Sequence, residues 1–272
     1  MQQKSPFRYP GGKSRAVKIL EKYFEDVNEF ASPFIGGGSF EIYMAEKGKR
    51  VYGYDAFVLL VNCWQQLLTK PNECYNELKV FYDYFWETKK PHDELRDFYY
   101  NIRDKKIYEE TNPVKKAMMY LFVNRCSFSG LGMLGGFISM WNVEFTKGVM
   151  ERIKNFSVPN LSVEQMSFED SIALNADKRL YLDPPYLVEA QLYGTKDNDL
   201  HMKFDHQKLA DILHQRDNWV MSYNNCDEIR KLYDGYTIID EKWTYGLTKD
   251  RKLDKSPAKE ILILSKDIEI RK

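Results

Sequence analysis

The stretch that decides the fold is Leu180-Tyr181-Leu182-Asp183-Pro184-Pro185-Tyr186. Its apolar start predicts a buried strand, and the strand must end at the two prolines because proline cannot donate a hydrogen bond to a sheet. Open α/β sheets bind their ligands at the carboxyl ends of their strands. The loop offers a carboxylate, backbone carbonyls and an aromatic face, which together suit a planar heteroaromatic ring that bears an amine.

Length and composition limit the classes of protein that the chain can belong to. Its 272 residues suffice for one large α/β domain, or for a domain with a second one inserted. Forty basic and forty acidic residues cancel, so the net charge gives no support for a nucleic-acid partner and any basic surface must be local. No apolar run approaches the roughly 20 residues of a membrane span, and no signal peptide is recognisable, which predicts a cytoplasmic protein.

The cysteines predict reduced thiols rather than disulfides or a metal site. They are widely spaced, without a CxxC pair or a histidine at ligand spacing, and they are Cys63, Cys74, Cys126 and Cys226. We therefore expect no metal cofactor.

Two glycine-rich segments near the amino terminus are candidates for ligand binding. Gly11-Gly12-Lys13 precedes a predicted helix over Ser14–Glu25 that Ser14 would cap; an anionic ligand and a plain turn are both compatible with it. A predicted strand at Glu29–Phe34 runs into Gly36-Gly37-Gly38, and a helix follows to about Lys47. This layout holds nucleoside cofactors in α/β folds, although glycine turns also have purely steric uses.

Acidic residues follow two further predicted strands. Arg50–Tyr54 ends at Asp55, which is placed either to accept hydrogen bonds from ribose hydroxyls or to cap the next helix. Leu161–Gln165 leads to Ser167-Phe168-Glu169-Asp170, where the ring could pack on a purine and a carboxylate could accept from its amine. The alternative is a helix cap before Asp170–Leu174.

A long helical region interrupts the alternation of strands and helices, which predicts an inserted subdomain over residues 57–155. Its predicted helices are Phe57–Leu68, Asn72–Trp86, His92–Arg103 and Pro113–Arg125, the last one capped by Asn112. Glycines and large apolar residues then alternate without helical period from Asn124 to Phe137. The segment suits either a tip that inserts into a partner or a hairpin packed on its own domain.

The last part of the chain predicts an antiparallel edge on an otherwise parallel sheet. The predicted elements are the helices Asp205–His214 and Asp227–Tyr233 and the strands Arg179–Leu182, Trp219–Ser222, Tyr236–Trp243 and Glu260–Ser265. We expect a mobile loop at Leu187–Lys203. A basic connection at Thr244–Lys259 is either a phosphate-binding segment or a solvated loop, and its basic residues are Lys249, Arg251, Lys252, Lys255 and Lys259.

Five of these motifs together resemble the Dam-type (D12 class) DNA adenine-N6 methyltransferase family. They follow in family order and cover nearly the whole chain: 9–13, 33–39, 124–130, 167–170 and 183–186. The resemblance implies an α/β fold with a mostly parallel, Rossmann-like methyltransferase sheet. The catalytic domain would comprise 1–56 and 156–272, and a helical target-recognition subdomain would span 57–155. It further implies S-adenosylmethionine as methyl donor and double-stranded DNA as partner, and it leaves open a cognate restriction endonuclease.

The resemblance also assigns roles to individual residues. The implied catalytic residues are Asp183, Pro184, Pro185 and Tyr186. The implied cofactor-binding residues are Tyr9, Lys13, Phe34, Gly36, Gly38, Ser39, Asp55, Phe168, Asp170 and Asp183. The implied DNA contacts are Asn124, Arg125, Phe128, Ser129 and Met133. Tyr9 stands where Dam itself has tryptophan, which still supplies an aromatic wall. The segment after Phe128 lacks the asparagine and the further arginine of better-known members. The resemblance therefore does not imply that this chain prefers the sequence GATC.

Two other functions remain compatible with the motifs. One is amino methylation of another target, such as cytosine N4, an RNA adenine or a protein glutamine; such enzymes more often carry Ser or Asn before the two prolines, so Asp183 disfavours it. The other is a DNA-binding protein on the same scaffold without turnover. The combination of Lys13, Asp55 and Asp183 disfavours that interpretation.

Overall fold

The computed structural model describes residues 3–86, 90–139, 141–187, 204–241 and 260–271. Beyond Leu187, the predicted loop up to Lys203 lies outside the described residues, and so does the basic connection Thr244–Lys259. The described strands are β1 (Glu29–Ser32), β2 (Arg50–Asp55), β3 (Leu161–Gln165), β4 (Arg179–Leu182), β5 (Trp219–Asn224), β6 (Thr237–Glu241) and β7 (Glu260–Leu264).

These strands form a single seven-stranded sheet in the order β3-β2-β1-β4-β5-β7-β6. The pairs from β3 to β5 are parallel, whereas β7 runs antiparallel to both β5 and β6. The prediction of a mostly parallel sheet with an antiparallel edge is therefore confirmed. Because β1, β2 and β4 are parallel neighbours, the segments that follow them meet at one edge of the sheet.

Strand β4 shows why the sequence produces this arrangement. Leu180, Tyr181 and Leu182 are fully buried, as expected for a central strand covered on both faces. Pro184 and Pro185 then end the strand. The carboxylate of Asp183 is thereby placed immediately beyond the last ladder position, at the ligand-binding edge.

Helices cover both faces of the sheet. They are α1 (Val17–Glu21), α2 (Ser39–Glu46), α3 (Val58–Thr69), α4 (Pro71–Trp86), α5 (His92–Asn101), α6 (Ile107–Glu109), α7 (Pro113–Cys126), α8 (Trp141–Glu144), α9 (Lys147–Lys154), α10 (Phe168–Leu174), α11 (His206–Leu213) and α12 (Asp227–Leu232). As predicted, Asn112 caps α7: its side chain accepts hydrogen bonds from the backbone amides of Val114 and Lys115 at 2.9 and 3.1 Å. Among the described residues, no helix is both long and apolar enough to cross a membrane.

The first predicted helix is shorter than expected, and its predicted cap is wrong. The α-helix begins at Val17, its cap position is Ala16, and the segment Lys22–Phe24 continues as a 3₁₀ turn. Ser14 makes no capping bond because a turn precedes the helix, closed by the Ala16 amide on the Lys13 carbonyl at 2.9 Å. This turn directs the Lys13 side chain into the interior, where it is almost completely buried.

One continuous core joins the helical region to a face of the sheet. Trp64 of α3 is fully buried, and its ring centroid lies 5.0 Å from that of Phe7 and 6.2 Å from that of Phe156. The same buried cluster includes Phe30 of β1 and Phe122 of α7. A second cluster, with α10, α11 and α12, covers the opposite face. The boundary at residue 57 stays a prediction.

Candidate active site

A cavity of about 370 Å³ opens at the carboxyl ends of β1, β2 and β4. Its walls are residues 9–13, 33–41, 55–57, 167–169 and 183–186, together with Tyr181, Phe204, Asp205 and Lys208. All the residues predicted from the sequence to act in catalysis or cofactor binding line this cavity, except Asp170. Segments that are far apart in the chain therefore converge on one site.

The glycine loop is shaped by two aromatic rings. A Cβ atom on Gly36 would lie 2.7 Å from the ring of Tyr9, and one on Gly38 would lie 2.5 Å from the ring of Trp64. Both glycines also have positive φ angles, of 47° and 61°, which side chains disfavour. Only glycine fits at these positions, and the loop backbone forms a close-packed wall of the cavity.

Asp55 ties this loop to the end of β2. Its carboxylate accepts hydrogen bonds from the backbone amides of Gly36 at 3.1 Å and Phe57 at 2.9 Å. Burial raises the pKa of Asp55 to about 6, although these amide bonds act in the opposite direction. The structure thus gives Asp55 a role in fixing the loop, and contact with a ribose stays a prediction.

Asp183 and Lys13 form a close ion pair at the centre of the site. The Lys13 ammonium lies 2.7 and 2.9 Å from the two Asp183 oxygens and donates to the Gly11 carbonyl at 2.9 Å. A second carboxylate, that of Glu260 at the start of β7, lies 3.8 Å from the same ammonium. The Lys13 side chain is 3% exposed, whereas that of Asp183 is 23% exposed, so the carboxylate faces the cavity. Burial raises the pKa of Asp183, and the Lys13 charge opposes this shift.

Tyr186 completes this part of the wall. Its ring centroid lies 5.0 Å from the Lys13 ammonium and stacks on the Tyr223 ring at 5.9 Å. Burial, reinforced by the charges of Asp183 and Glu260, raises the pKa of the Tyr186 hydroxyl well above its usual range. The phenol therefore stays neutral at physiological pH.

The opposite end of the cavity is an aromatic cluster. The rings of Phe34 and Phe168 stack at 5.8 Å, and Phe204 meets them at 5.6 and 5.3 Å. Sequence reasoning missed Phe204, and the only available indication was its place just before the capping residue of a predicted helix. Lys208 of that helix bridges to Glu169 at 2.6 Å across the cavity mouth.

Asp170 instead lies in the first turn of α10 and bonds to Ser167, which caps this helix. Its amide donates to the Ser167 hydroxyl at 3.1 Å, and that hydroxyl donates to the Asp170 carboxylate at 2.9 Å. This supports the capping alternative, and Glu169 rather than Asp170 lines the cavity.

Glu41 is a further cavity residue, and no pattern in the sequence indicates it. It lies in the first turn of α2, is 2% exposed, and accepts a hydrogen bond from the Ser32 hydroxyl at 2.6 Å. Burial raises its pKa to about 7. A carboxyl group that titrates near neutrality thus faces the same space as Asp183.

The residues predicted to contact DNA differ in their exposure to solvent. Phe128 is 64% exposed and Ser129 is also exposed, whereas Asn124, Arg125 and Met133 are buried. An isolated antiparallel bridge between Ser127 and Phe137 closes the base of the segment. The base is therefore a packed hairpin, as one alternative predicts, and the tip presents an aromatic side chain. Insertion of this tip into a partner stays a prediction.

The buried members hold residues 127–137, called the recognition segment after their predicted role, to the rest of the protein. The Asn124 amide accepts from the Arg8 backbone amide at 2.8 Å and donates to the Arg8 carbonyl at 2.7 Å. The Arg125 guanidinium donates to the Glu144 carbonyl at 2.8 Å, and burial lowers its pKa to about 10. Direct DNA contacts of Asn124, Arg125 and Met133 stay predictions, and what the structure shows is an anchoring geometry.

Helix α5 and the turn after it hold the segment from the other side. The Tyr99 hydroxyl donates to the Gly135 carbonyl at 2.8 Å, and the Arg103 guanidinium donates to the same oxygen at 2.7 Å. Arg103 lies in a π-helical stretch at Ile102–Lys106 that directly continues α5. The position of the tip is therefore fixed by several side chains that are themselves buried.

Comparison with known proteins agrees with this geometry. The family model described as D12 class N6 adenine-specific DNA methyltransferase matches residues 9–247. Two curated relatives, each a DNA adenine methylase of Vibrio cholerae serotype O1 (strains O395 and N16961), are 23% identical over 203 residues. The alignment covers 68% of this chain and 65% of the length of those relatives.

Proposed function

This chain belongs to the D12 class N6 adenine-specific DNA methyltransferase family, and on that premise we propose that it methylates N6 of adenine in double-stranded DNA with S-adenosylmethionine as donor. The observation that carries the proposal is the meeting of Asp183 and the glycine loop in one cavity of about 370 Å³. A nucleophile-activating carboxylate and a cofactor-binding loop are the two parts that such a transfer requires.

The residues present fit the proposed donor. The aromatic cluster of Phe34, Phe168 and Phe204 offers flat surfaces for a purine, and the close-packed backbone at Gly36–Gly38 allows a ligand to approach. Asp55 retains acceptor capacity for ribose hydroxyls beyond its two amide bonds. When bound, S-adenosylmethionine supplies an electrophilic methyl group on a sulfonium.

Asp183 would make the adenine amine a better nucleophile. The amine is weak because its lone pair is delocalised into the ring. The Asp183 carboxylate and the Pro184 carbonyl would accept its two hydrogens, which localises the lone pair on nitrogen. The negative charge also stabilises the positive charge that develops on N6 as the new C–N bond forms and the C–S bond breaks.

Lys13 already donates to both oxygens of Asp183. An incoming amine would share an oxygen with it through a remaining lone pair, or would displace one of these bonds. The ammonium would still be held by the Gly11 carbonyl at 2.9 Å and by the Glu260 carboxylate nearby. The ion pair would thus keep Asp183 ionised and oriented until the base arrives.

The base has to leave the DNA duplex to reach this cavity, at a cost of a few kcal/mol. Tyr186 would stack on it, and the exposed Phe128 ring would occupy the space that it leaves in the helix. Proximity and orientation of the two reacting groups would supply much of the remaining rate.

The first test is Asp183→Asn, which keeps the shape and removes the charge. We expect methyl transfer to duplex DNA to fall by roughly 10²–10³-fold while S-adenosylmethionine still binds. Asp177→Asn is the matched control, because Asp177 is exposed and pairs with its neighbour Lys178 at 3.1 Å. Wild-type rates in Asp183→Asn would end the proposal. Transfer by the wild-type protein to RNA, protein or adenine-free DNA would instead favour another target.

The second test is Phe128→Ala. We expect the affinity for duplex DNA to fall roughly tenfold at a fixed salt concentration, because a stacking ring is lost while the base of the recognition segment stays anchored. Tyr108→Ala removes an exposed ring from another part of the helical region and serves as control. Equal affinities of wild-type and Phe128→Ala protein would reject this role. Long-read detection of methylated adenines in DNA from expressing cells would give the recognition sequence.

A further inference from the structure

Glu41 is a buried carboxylate in the wall of the cavity that the proposed mechanism does not use. It follows the glycine loop directly, in the first turn of α2. One oxygen accepts the Ser32 hydroxyl at 2.6 Å. Its side chain is therefore held in place rather than free to leave for solvent.

No cation within ion-pair distance neutralises Glu41 among the residues that the structure describes. Lys13 shares the cavity, but its ammonium bonds to Asp183. Burying a carboxylate without a cation is costly, so proteins rarely retain one without a partner or a function.

The groups that face Glu41 act on its charge in both directions. Asp183 at the end of β4 acts on it as a second negative charge, and Tyr181 of the same strand is buried beside both carboxylates. The Ser32 hydroxyl and the Lys13 ammonium favour the ionised form. Burial outweighs them, and the pKa of Glu41 is raised to about 7. A cationic ligand in the cavity would shift this balance toward the carboxylate.

We propose that Glu41 binds the methionyl end of S-adenosylmethionine, whose net charge is positive because it carries an ammonium and a sulfonium against a single carboxylate. The inference rests on the proposed function, since it needs that cofactor. Its geometric basis is the place of Glu41 beside the glycine loop, on the cavity wall that also holds Asp183. Among the described residues, Glu41 has no cation within ion-pair distance. The bound ligand would supply this cation.

The experiment is isothermal titration of the purified full chain with S-adenosylmethionine between pH 6 and 8.5. Binding a cation favours ionised Glu41, so wild-type affinity should rise with pH through about 7 and release protons in the lower half of the range, before the α-ammonium of the ligand itself begins to lose its proton near pH ~8. Asp55, with a pKa of about 6, titrates at the lower limit and is the same in every variant.

The variant is Glu41→Gln, which keeps an acceptor for Ser32 and removes the charge. We expect it to bind S-adenosylmethionine about tenfold more weakly at pH 8, with the rise through pH 7 abolished. Glu46→Gln is the matched control, because it makes the same change on the exposed side of α2 and should bind as the wild type does.

S-adenosylhomocysteine separates the two cationic groups, because it keeps the ammonium and lacks the sulfonium. Equal losses for both ligands would assign Glu41 to the ammonium, and a larger loss for S-adenosylmethionine would assign it to the sulfonium. Wild-type affinity and pH dependence in Glu41→Gln would overturn the inference. Absence of binding to wild-type protein would instead contradict the proposed function itself.

Discussion

Lys13 and Asp183 depend on each other at the residue scale. Removal of either partner would leave a charge in a largely buried site, which costs far more than the net value of the pair. A loss of activity in a Lys13 variant would therefore combine a structural effect with any effect on ligand binding. Asp183→Asn is the cleaner change because a neutral amide can still face the ammonium.

Glu41 leads to a prediction about stability. The carboxyl group of Glu41 has a pKa of about 7 in the folded protein and 4.5 in the unfolded chain. Folding is therefore more favourable when this group is protonated. The contribution of the protonated group to the free energy of unfolding is fully present below pH 4.5. It is lost as the pH rises through 7, which lowers the free energy of unfolding by roughly 3 kcal/mol. Glu41→Gln should therefore gain stability relative to wild type between pH 5 and 8.

Urea unfolding at both pH values measures this difference. Glu46→Gln, on the exposed face of the same helix, should show the same difference from wild type at pH 5 and at pH 8. If the stability gap between Glu41→Gln and wild type does not widen with pH, the carboxyl group of Glu41 does not titrate as described.

The sequence identified some of the site residues and not others for physical reasons. Asp55 and Asp183 follow apolar strands, and the carboxyl ends of parallel strands converge, so their place was predictable. Glu41 and Phe204 were not, because each reaches the cavity through packing between distant segments. Arg125 shows a contact that no local pattern indicates, since its guanidinium is buried against Glu144, while its direct DNA contact stays a prediction.

At the scale of elements, the loop from Asp183 to Leu187 is held at both ends by side chains. Two prolines remove backbone donors from it. Lys13 fixes its start. At its end, the Asn224 amide accepts from the Leu187 backbone amide at 2.9 Å and donates to the Leu187 carbonyl at 3.1 Å. The side chain of Asn224, at the end of β5, thus imitates a strand partner.

Asn224→Ala should loosen this loop without unfolding the protein. We expect faster hydrogen exchange of the Leu187 amide and a roughly tenfold lower kcat, with cofactor affinity within about twofold of wild type, because misplacing a reacting group affects turnover first. Asn225→Ala is the matched control, since the Asn225 side chain accepts from Arg230 at 2.7 Å instead of holding Leu187.

A protected Leu187 amide and full turnover in Asn224→Ala would show that the loop does not need this anchor. Asn224→Asp tests the acceptor alone. It retains an oxygen for the Leu187 amide, so exchange at that amide should stay slow even though the bond to the carbonyl is lost.

The first and last residues of a helix or strand could be predicted from the sequence where local interactions determine them. β3 and β4 begin and end where the sequence predicts, and α7 starts after its capping asparagine. The helix predicted for Ser14–Glu25 begins later than expected because Lys13 is drawn inward, and that long-range contact sets the chain direction before the helix begins. Capping preference alone could not reveal a tertiary constraint of this kind.

At the scale of the molecule, the amino-terminal segment connects the proposed DNA-binding tip to the proposed cofactor site. Arg8 is held by Asn124 beneath the recognition segment, its neighbour Tyr9 packs on the glycine loop, and Lys13 meets Asp183. A Cβ atom on Gly130 would lie 2.7 Å from the Arg8 carbonyl, so the contact is close. One short stretch of chain thus spans from the proposed DNA-binding tip to the proposed cofactor site.

The class of the sheet was predictable, but the order of its strands was not. Alternating patterns indicated parallel strands and an antiparallel edge, because periodicity and turn residues are local properties. The insertion of β7 between β5 and β6 is a matter of long-range pairing, which no local pattern encodes. The helical region shares a core with the sheet for the same reason, through residues such as Trp64 that give no sign of their partners in the sequence.

The position of β7 has a consequence for biosynthesis. During translation β6 emerges before β7, yet its only neighbour in the described sheet is β7. Until that strand arrives, β5 has an open edge, β6 has no partner, and Glu260 is missing from beside Lys13. Such late, non-local pairing slows folding and exposes strand edges. The nascent protein would therefore acquire a finished site only after nearly all of this sequence has left the ribosome.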